Sequence, residues 1–97
     1  MADGKIIVED NADQQRYEVF VDGDRAGYAA YRVGPGRIVF THTTIDPDYE
    51  GQGVGSALAR SALDDARAKQ LAVVAQCPFI AAFLKRHSEY HDLVEQV

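Results

Sequence analysis

The spacing best suited to chemistry lies in Asp46-Pro47-Asp48-Tyr49-Glu50-Gly51-Gln52-Gly53-Val54-Gly55-Ser56, where three alternating glycines join an apolar, β-branched run to a long helical pattern. Glycine lets main-chain N–H groups approach a ligand without interference from a Cβ. A helix opening at the end of such a loop adds unpaired amides and the positive end of its dipole. A phosphate or diphosphate is the natural guest, although a flexible turn without any ligand has the same spacing. Cys77 precedes Pro78 at the expected start of a helix. A thiol in such a place is favoured as the thiolate, which attacks carbonyl carbon, whereas the commoner fate of a lone Cys is a small buried apolar side chain. His42 lies in a β-branched run. Imidazole titrates near neutrality and suits a general base, and a hydrogen-bonded core histidine is the equal alternative. His87 and His91 are one helical turn apart, but no third ligand follows at metal-binding spacing, and exposed histidines on a terminal helix account for them. No metal is assigned.

These groups need elements to hold them. Lys5 to Glu9 predicts a short strand and Asn11 to Gln15 the turn that closes it. Arg16 to Val21 predicts a second strand, Asp22-Gly23-Asp24 a hairpin turn, Ala26 to Val33 a third strand, and Arg37 to Ile45 a fourth after Gly34-Pro35-Gly36. Short turns imply an antiparallel meander. Strict alternation on strand four would place Ile38, Phe40, His42 and Thr44 on one face. After the glycine loop, Val54, Leu58, Ala62 and Ala66, with Leu63 beside them, mark one apolar helical face, and Arg60 and Asp64 are spaced to pair. Leu71 to Ala75 is short and almost wholly apolar, as expected for a strand buried on both faces and parallel to strand four after a right-handed crossover. Pro78 suits the first position of a helix running to about Arg86 with Cys77 as its N-cap, and a last short helix is expected from Ser88 to Val94. The expected fold class is α+β: a mixed, mostly antiparallel sheet with helices packed on it, in the order β-β-β-β-α-β-α.

Three kinds of glycine-rich phosphate loop compete for the central stretch. A P-loop ends Gly-Lys-Ser/Thr, whereas this loop ends Gly55-Ser56-Ala57. A dinucleotide fingerprint needs a third glycine where Ser56 stands and an acidic residue after the next strand, where Val73-Val74-Ala75-Gln76 offers none. Strand, Gly-x-Gly-x-Gly, helix and next strand together resemble the acetyl-coenzyme A loop of the GNAT N-acetyltransferase superfamily, whose two glycines are matched by Gly53 and Gly55. Glu50 departs from that pattern, which usually has Arg or Gln there, so the main-chain amides must do the binding. The resemblance runs along nearly the whole chain. Cys77-Pro78-Phe79 and His87-Ser88-Glu89-Tyr90 make it look like a minimal branch, with a five-residue turn where the superfamily usually places two helices between strands one and two.

The resemblance implies acetyl-coenzyme A as co-substrate and an amine as acceptor. Its loop residues here are Gly51, Gln52, Gly53, Val54, Gly55 and Ser56. It also implies that strands four and five splay apart, with the pantetheine arm pairing to strand four near Thr44 and Ile45 and the thioester close to Cys77. An acetyl-Cys77 intermediate is then one route, and direct attack by the amine with His42 as base is the other. Aligned from Cys77, Phe83 is in place, but Leu84 stands where the superfamily usually has its Tyr acid. Tyr90 is either a substitute or an aromatic anchor for the C-terminus. The gap is tolerable because a coenzyme A thiolate is a fair leaving group. Lys85 and Arg86 either reach the 3′-phosphate or are solvated.

A chain of 97 residues is expected to form one domain, residues 1–97, able to bury about 60–65% of its unfolded surface. Nothing in it reads as a membrane span, and Met1-Ala2-Asp3-Gly4 does not read as a signal peptide. The single Cys77 fits a reducing compartment, and a cytoplasmic location is expected. A formal net charge of -5 argues against nucleic acid and favours a cationic acceptor. A protein amine or a second copy completing a shallow acceptor side are both open. An acetyltransferase is the leading function; a non-catalytic acyl-coenzyme A sensor, supported by Glu50 and Leu84, and an interaction subunit using a sheet edge are the alternatives.

Overall fold

A computed structural model describes residues 5–94; the reading of Met1 to Gly4 lies outside them. Four strands, β1 (Ile6–Asn11), β2 (Arg16–Val21), β3 (Asp24–Gly34) and β4 (Arg37–Ile45), form an antiparallel meander. Helix α1 (Val54–Ala68) then crosses over to β5 (Ala72–Ala75), which pairs with β4 in parallel. Helix α2 (Pro78–Arg86) and a 3₁₀ segment (Ser88–Leu93) follow, and Val94 bridges to Val73. The sheet order is β1-β2-β3-β4-β5, the expected mixed arrangement. β1 and β3 are longer than their side-chain patterns suggested, because cross-strand pairing continues to the tight turns at Asn11↔Arg16, Val21↔Asp24 and Gly34↔Arg37. Pro47–Tyr49 adds a single 3₁₀ turn, with Asp46 Oδ1 accepting the Asp48 N–H at 3.0 Å. No helix among the described residues is long and apolar enough to cross a membrane.

The apolar face of α1 is the one its spacing marks. Val54, Leu58, Ala59, Ala62, Leu63 and Ala66 are all buried against Tyr17, Val19, Ala29, Tyr31 and Phe40 of the sheet. Its small residues bring the helix backbone close to the strands. The opposite sheet face, with Arg16, Phe20, Tyr28, Ala30 and His42, remains partly or fully exposed. β5 shows the consequence: only Val73 is fully buried and its neighbours are intermediate, which corrects the expectation of burial on both faces.

A β-bulge decides what β4 presents. Ala30 pairs with His42 and Tyr31 with Phe40, so Thr41 is the extra residue between them. An extra residue reverses the alternation beyond it. Ile38 and Phe40 face the core, while His42 and Thr44 face the helix-free side, paired with Ala30 and Tyr28. The expectation that all four share one face is therefore corrected. A second bulge at Ala26, between Gly27 and Arg25, brings Gly27 against β4: a Cβ there would lie 2.4 Å from the Thr44 carbonyl oxygen.

Polar groups tie the layers together. Tyr17 donates to Asp65 at 2.5 Å and Tyr31 to Asp10 at 2.5 Å, while Lys69 bridges Asp65 at 2.9 Å and Asp10 at 3.2 Å. Burial raises both tyrosine hydroxyls, helped by these carboxylates. Arg60 reaches Glu89 at 3.3 Å and Tyr90, not Asp64; Asp64 instead accepts from Tyr90 at 2.7 Å, which pins the C-terminal segment to α1. On the open face, Glu18 is 8% exposed and accepts from Asn11, Arg16 and Arg25. Burial pushes the Glu18 carboxyl up, but those three donors more than offset it and hold it below its ordinary 4.5. Burial likewise raises Asp65, and Tyr17 and Lys69 bring it below 3.8.

A depressed carboxylate stabilises the fold above its unfolded pKa, and that contribution is lost as pH falls through the folded value, because the unfolded chain takes up the proton first. Urea midpoints are therefore expected to fall below about pH 4.5. Glu18→Gln should be less stable at pH 7 and show a shallower acid decline; an unchanged acid slope would count against this assignment.

Candidate functional site

The two parallel strands separate beyond Phe40. Phe40↔Ala75 is their last pair, and the Phe40 carbonyl accepts from both Gln76 N–H at 3.0 Å and Cys77 N–H at 3.1 Å as the chain turns into α2. β4 continues to Ile45 without β5 beside it. A cleft of about 500 Å³ opens there, lined by Thr43 and Ile45 of β4, Tyr49, Glu50 and Gly51, the helix start from Gly53 to Ser56, and Phe79 of α2.

The α1 N-terminus faces this cleft. Gly53 is its N-cap at φ 76°, in the left-handed region where glycine is favoured, and no side chain caps the helix. The first helical bond runs from Ala57 N–H to the Gly53 carbonyl at 3.0 Å. The amides of Val54, Gly55 and Ser56 therefore have no acceptor within the helix, and all three residues line the cleft. Gly55 serves a different purpose: a Cβ there would lie 2.7 Å from Phe79 Cζ, so its absence lets the ring pack onto the helix start.

No Lys or Arg is among the lining residues, and Glu50 contributes a negative charge. Burial and the neighbouring Asp24, Asp46, Asp48 and Asp22 all raise the Tyr49 hydroxyl above its ordinary value. Attraction for an anion thus falls to the helix amides and dipole.

Of the residues singled out from sequence, Ile45, Gly51, Gly53, Val54, Gly55 and Ser56 line the cleft. Gln52 turns its side chain away, donating from Nε2 to the Asp48 carbonyl at 3.2 Å. Thr44 lies on the other face, its hydroxyl 2.8 Å from His42 Nε2, and Tyr28 packs beside that imidazole at 6.0 Å between centroids. Phe83 is buried, stacked on His87 at 3.9 Å, and borders a neighbouring hollow of about 80 Å³ with Ser56, Phe79 and Arg86. Lys85 is on a separate hollow with Ala75 and His91. Cys77 is the N-cap of α2 but makes no side-chain cap bond; it is 1% exposed and its thiol donates to Thr43 Oγ1 at 3.0 Å. His42 and Cys77 thus approach β4 from opposite faces. His87 Nδ1 and His91 Nε2 meet the carbonyls of Phe83 and Leu84 at 2.9 and 2.7 Å, closing the end of α2.

Thr43, Tyr49 and Phe79 line the cleft without having been singled out as site residues. Thr43 was hidden by the bulge. Phe79 was visible only as the third residue of Cys77-Pro78-Phe79, and its seat against Gly55 depends on how α2 meets α1.

A mixed, mostly antiparallel sheet whose parallel pair opens beside a glycine-started helix defines the α+β class of the chain. The profile of the GCN5-related N-acetyl-transferase family matches residues 16–93, and the chain belongs to that family. No curated protein matches the chain. Among solved structures it is similar to a GCN5-like candidate N-acetyltransferase from Staphylococcus aureus, solved by NMR, with a TM-score of 0.70 and 23% identity over 100% of this chain and 93% of that one. It is also similar to a ribosomal-protein-alanine N-acetyltransferase from Brucella melitensis biovar Abortus 2308, with a TM-score of 0.60 and 18% identity over 84% of this chain and 62% of that one. At these identities the likeness is one of fold.

Proposed function

We propose that this protein transfers an acetyl group from acetyl-coenzyme A to an amine. The observation that carries the reading is the set of uncapped amides at Val54, Gly55 and Ser56, opening onto a cleft beside the unpaired end of β4. In this reading the amides of the loop from Gly51 to Ser56, Gln52 included, hold the diphosphate. The pantetheine runs along the main chain near Thr44 and Ile45, the Phe79 and Phe83 rings flank the carrier, and Arg86, which shares a hollow with Ser56 and Phe79, is the candidate side chain for its phosphates. Glu50 weakens the electrostatics but leaves the amide cradle intact.

The acceptor enters from the helix-free face of the sheet. β4 has no strand beside it beyond Phe40, and in this reading the amine reaches the cleft past that open edge from the face that carries His42. His42 takes the proton of the amine there, and Thr44, at hydrogen-bond distance, orients the imidazole. The acetyl group moves either directly to the amine or through Cys77. Only a tight turn separates β1 and β2, so the acceptor side is shallow and suits a protein amine or completion by a second copy. The minimal-branch assignment, a single-domain organisation over residues 1–97, a cytoplasmic location and a lack of nucleic-acid partners belong to the same proposal.

Calorimetry with acetyl-coenzyme A, then incubation with acetyl-coenzyme A and an added amine, tests it in wild type and Cys77→Ser. Binding with acetyl transfer is expected. Binding with no acetylated amine and no acetylated Cys77 would instead establish the sensor alternative favoured by Leu84 and Glu50, and no binding would remove both.

A further inference from the structure

We infer that the helix-free face of the sheet selects an amine that carries a carboxylate a few bonds away, with Arg16 receiving the carboxylate while His42 takes the amine proton. This rests on the acetyl-transfer reading above and on where it places the acceptor. The chain as a whole is acidic, with a formal net charge of -5, which by itself favours a cationic acceptor. On the face that carries His42 the balance is reversed. Glu18 is 8% exposed there, and its Oε2 accepts from Arg16 Nε at 2.8 Å and from Arg25 Nη1 at 3.1 Å, while Oε1 accepts from Asn11 at 3.2 Å. One carboxylate thus answers two guanidinium groups, and a positive charge is left over. Arg32, exposed and two residues beyond Ala30 on β3, adds a cation to the same face. Glu9, the other carboxylate on this face, is paired with Glu18 on the edge strand β1, three strands from His42.

Strand register aligns the two recognition groups. Arg16 pairs with Ala30 and Ala30 with His42, so the three form one row across β2, β3 and β4. Neighbouring strands lie about 4.8 Å apart, which sets the Cα atoms of Arg16 and His42 roughly 10 Å apart with only the Ala30 methyl group between them. Tyr28 spans the gap from the next row: the Arg16 guanidinium stands 4.9 Å from its ring centroid, and the His42 ring centroid is 6.0 Å from it. Stacking on Tyr28 and bonding to Glu18 fix the Arg16 side chain in advance, so it loses little rotamer freedom on taking an anion. Its Nε and Nη2 are both spent on Glu18 at 2.8 Å, and among the described residues no acceptor meets its Nη1, which keeps two hydrogens for a carboxylate. A plain amine fills only the His42 end of this row. An amine with a carboxylate a few bonds away fills both ends, and one with a second cation in its place meets like charge. A free amino acid with an acidic side chain and a peptide with an acidic residue beside its amine offer the same chemistry.

The test measures acetylation by acetyl-coenzyme A of short C-terminally amidated peptides that begin Ser-Glu, Ser-Gln and Ser-Lys, and of free glutamate and glutamine. Wild type is expected to show about 10-fold higher kcat/KM for a carboxylate-bearing acceptor than for its amide counterpart, the low end for a charge-assisted bond at a partly exposed site. The difference should reside in KM and shrink with added salt. Arg16→Gln should reduce the preference to below about 2-fold at an unchanged kcat for the Ser-Gln peptide, whereas Arg16→Lys, which keeps the charge, should retain at least about 3-fold. A preference between the peptides assigns the peptide as acceptor, and one confined to glutamate over glutamine assigns the free amino acid. Equal rates within both pairs overturn the inference, as does a preference that survives Arg16→Gln in a protein with unchanged thermal unfolding. Lack of transfer to either carboxylate acceptor overturns it too; transfer to the Ser-Lys peptide would then leave the broader acetyltransferase reading standing with a cationic acceptor.

Discussion

Gly53→Val is expected to weaken acetyl-coenzyme A binding by at least about 100-fold while the sheet remains folded. Gly53 occupies the left-handed region at φ 76°, which costs an ordinary residue about 1–2 kcal/mol and a β-branched one more. There is open space around its Cβ direction, so the obstacle is backbone conformation and not collision. Valine relieves the strain by rotating the peptide units on either side of Gly53. Those units carry the Gly53 and Val54 N–H groups, and turning them also tilts the helix start that presents the Gly55 and Ser56 amides; a hydrogen bond to a charged acceptor contributes about 1.5–3 kcal/mol, so misdirecting even two accounts for the loss. Gly53→Asn makes the contrast, since asparagine tolerates the left-handed region, and it should retain binding to within about 10-fold. Calorimetry of the three proteins checks the series. Equal affinity in Gly53→Val and wild type, with circular dichroism unchanged, would falsify the amide cradle.

Phe40→Ala is expected to lower stability by about 3–5 kcal/mol, a large share of the roughly 5–15 kcal/mol available to a small domain. Phe40 is fully buried, with its ring 6.3 Å from Tyr17 and 6.5 Å from Tyr31, under the helices. Truncation removes the apolar transfer energy of the ring and leaves a cavity that rigid strands close only in part. Its carbonyl also holds Gln76 and Cys77 where β5 leaves β4, so movement of β4 there reaches the wall of the cleft. Thermal unfolding should shift down by at least about 12 °C. A loss under about 1 kcal/mol would mean that the core is not centred on this ring.

Periodicity made most of the fold legible. β2 and β4 begin and end where their side-chain patterns predict, and α1 buries Val54, Leu58, Ala62, Leu63 and Ala66 as their spacing requires. Part of the cleft was legible as well, because Gly53 carries a left-handed backbone requirement that no neighbour has to supply, whereas the need for Gly55 comes from the Phe79 ring packed against it. Cys77 and His42 could be named as candidates but not oriented. The bulge at Thr41 exists only because Ala30 pairs with His42 and Tyr31 with Phe40, a register fixed between strands and invisible along one.

The amino-acid sequence by itself determined the order of elements, the apolar face of α1 and a helix start able to receive an anion, because local geometry and glycine's freedom depend on near neighbours. Only the tertiary structure decided that Thr43, and not His42, meets Cys77, that Phe79 seats against Gly55, and that one sheet face stays free of helices. Each of these depends on pairing and packing between residues far apart in the chain, where a shift of one residue exchanges one face of a strand for the other.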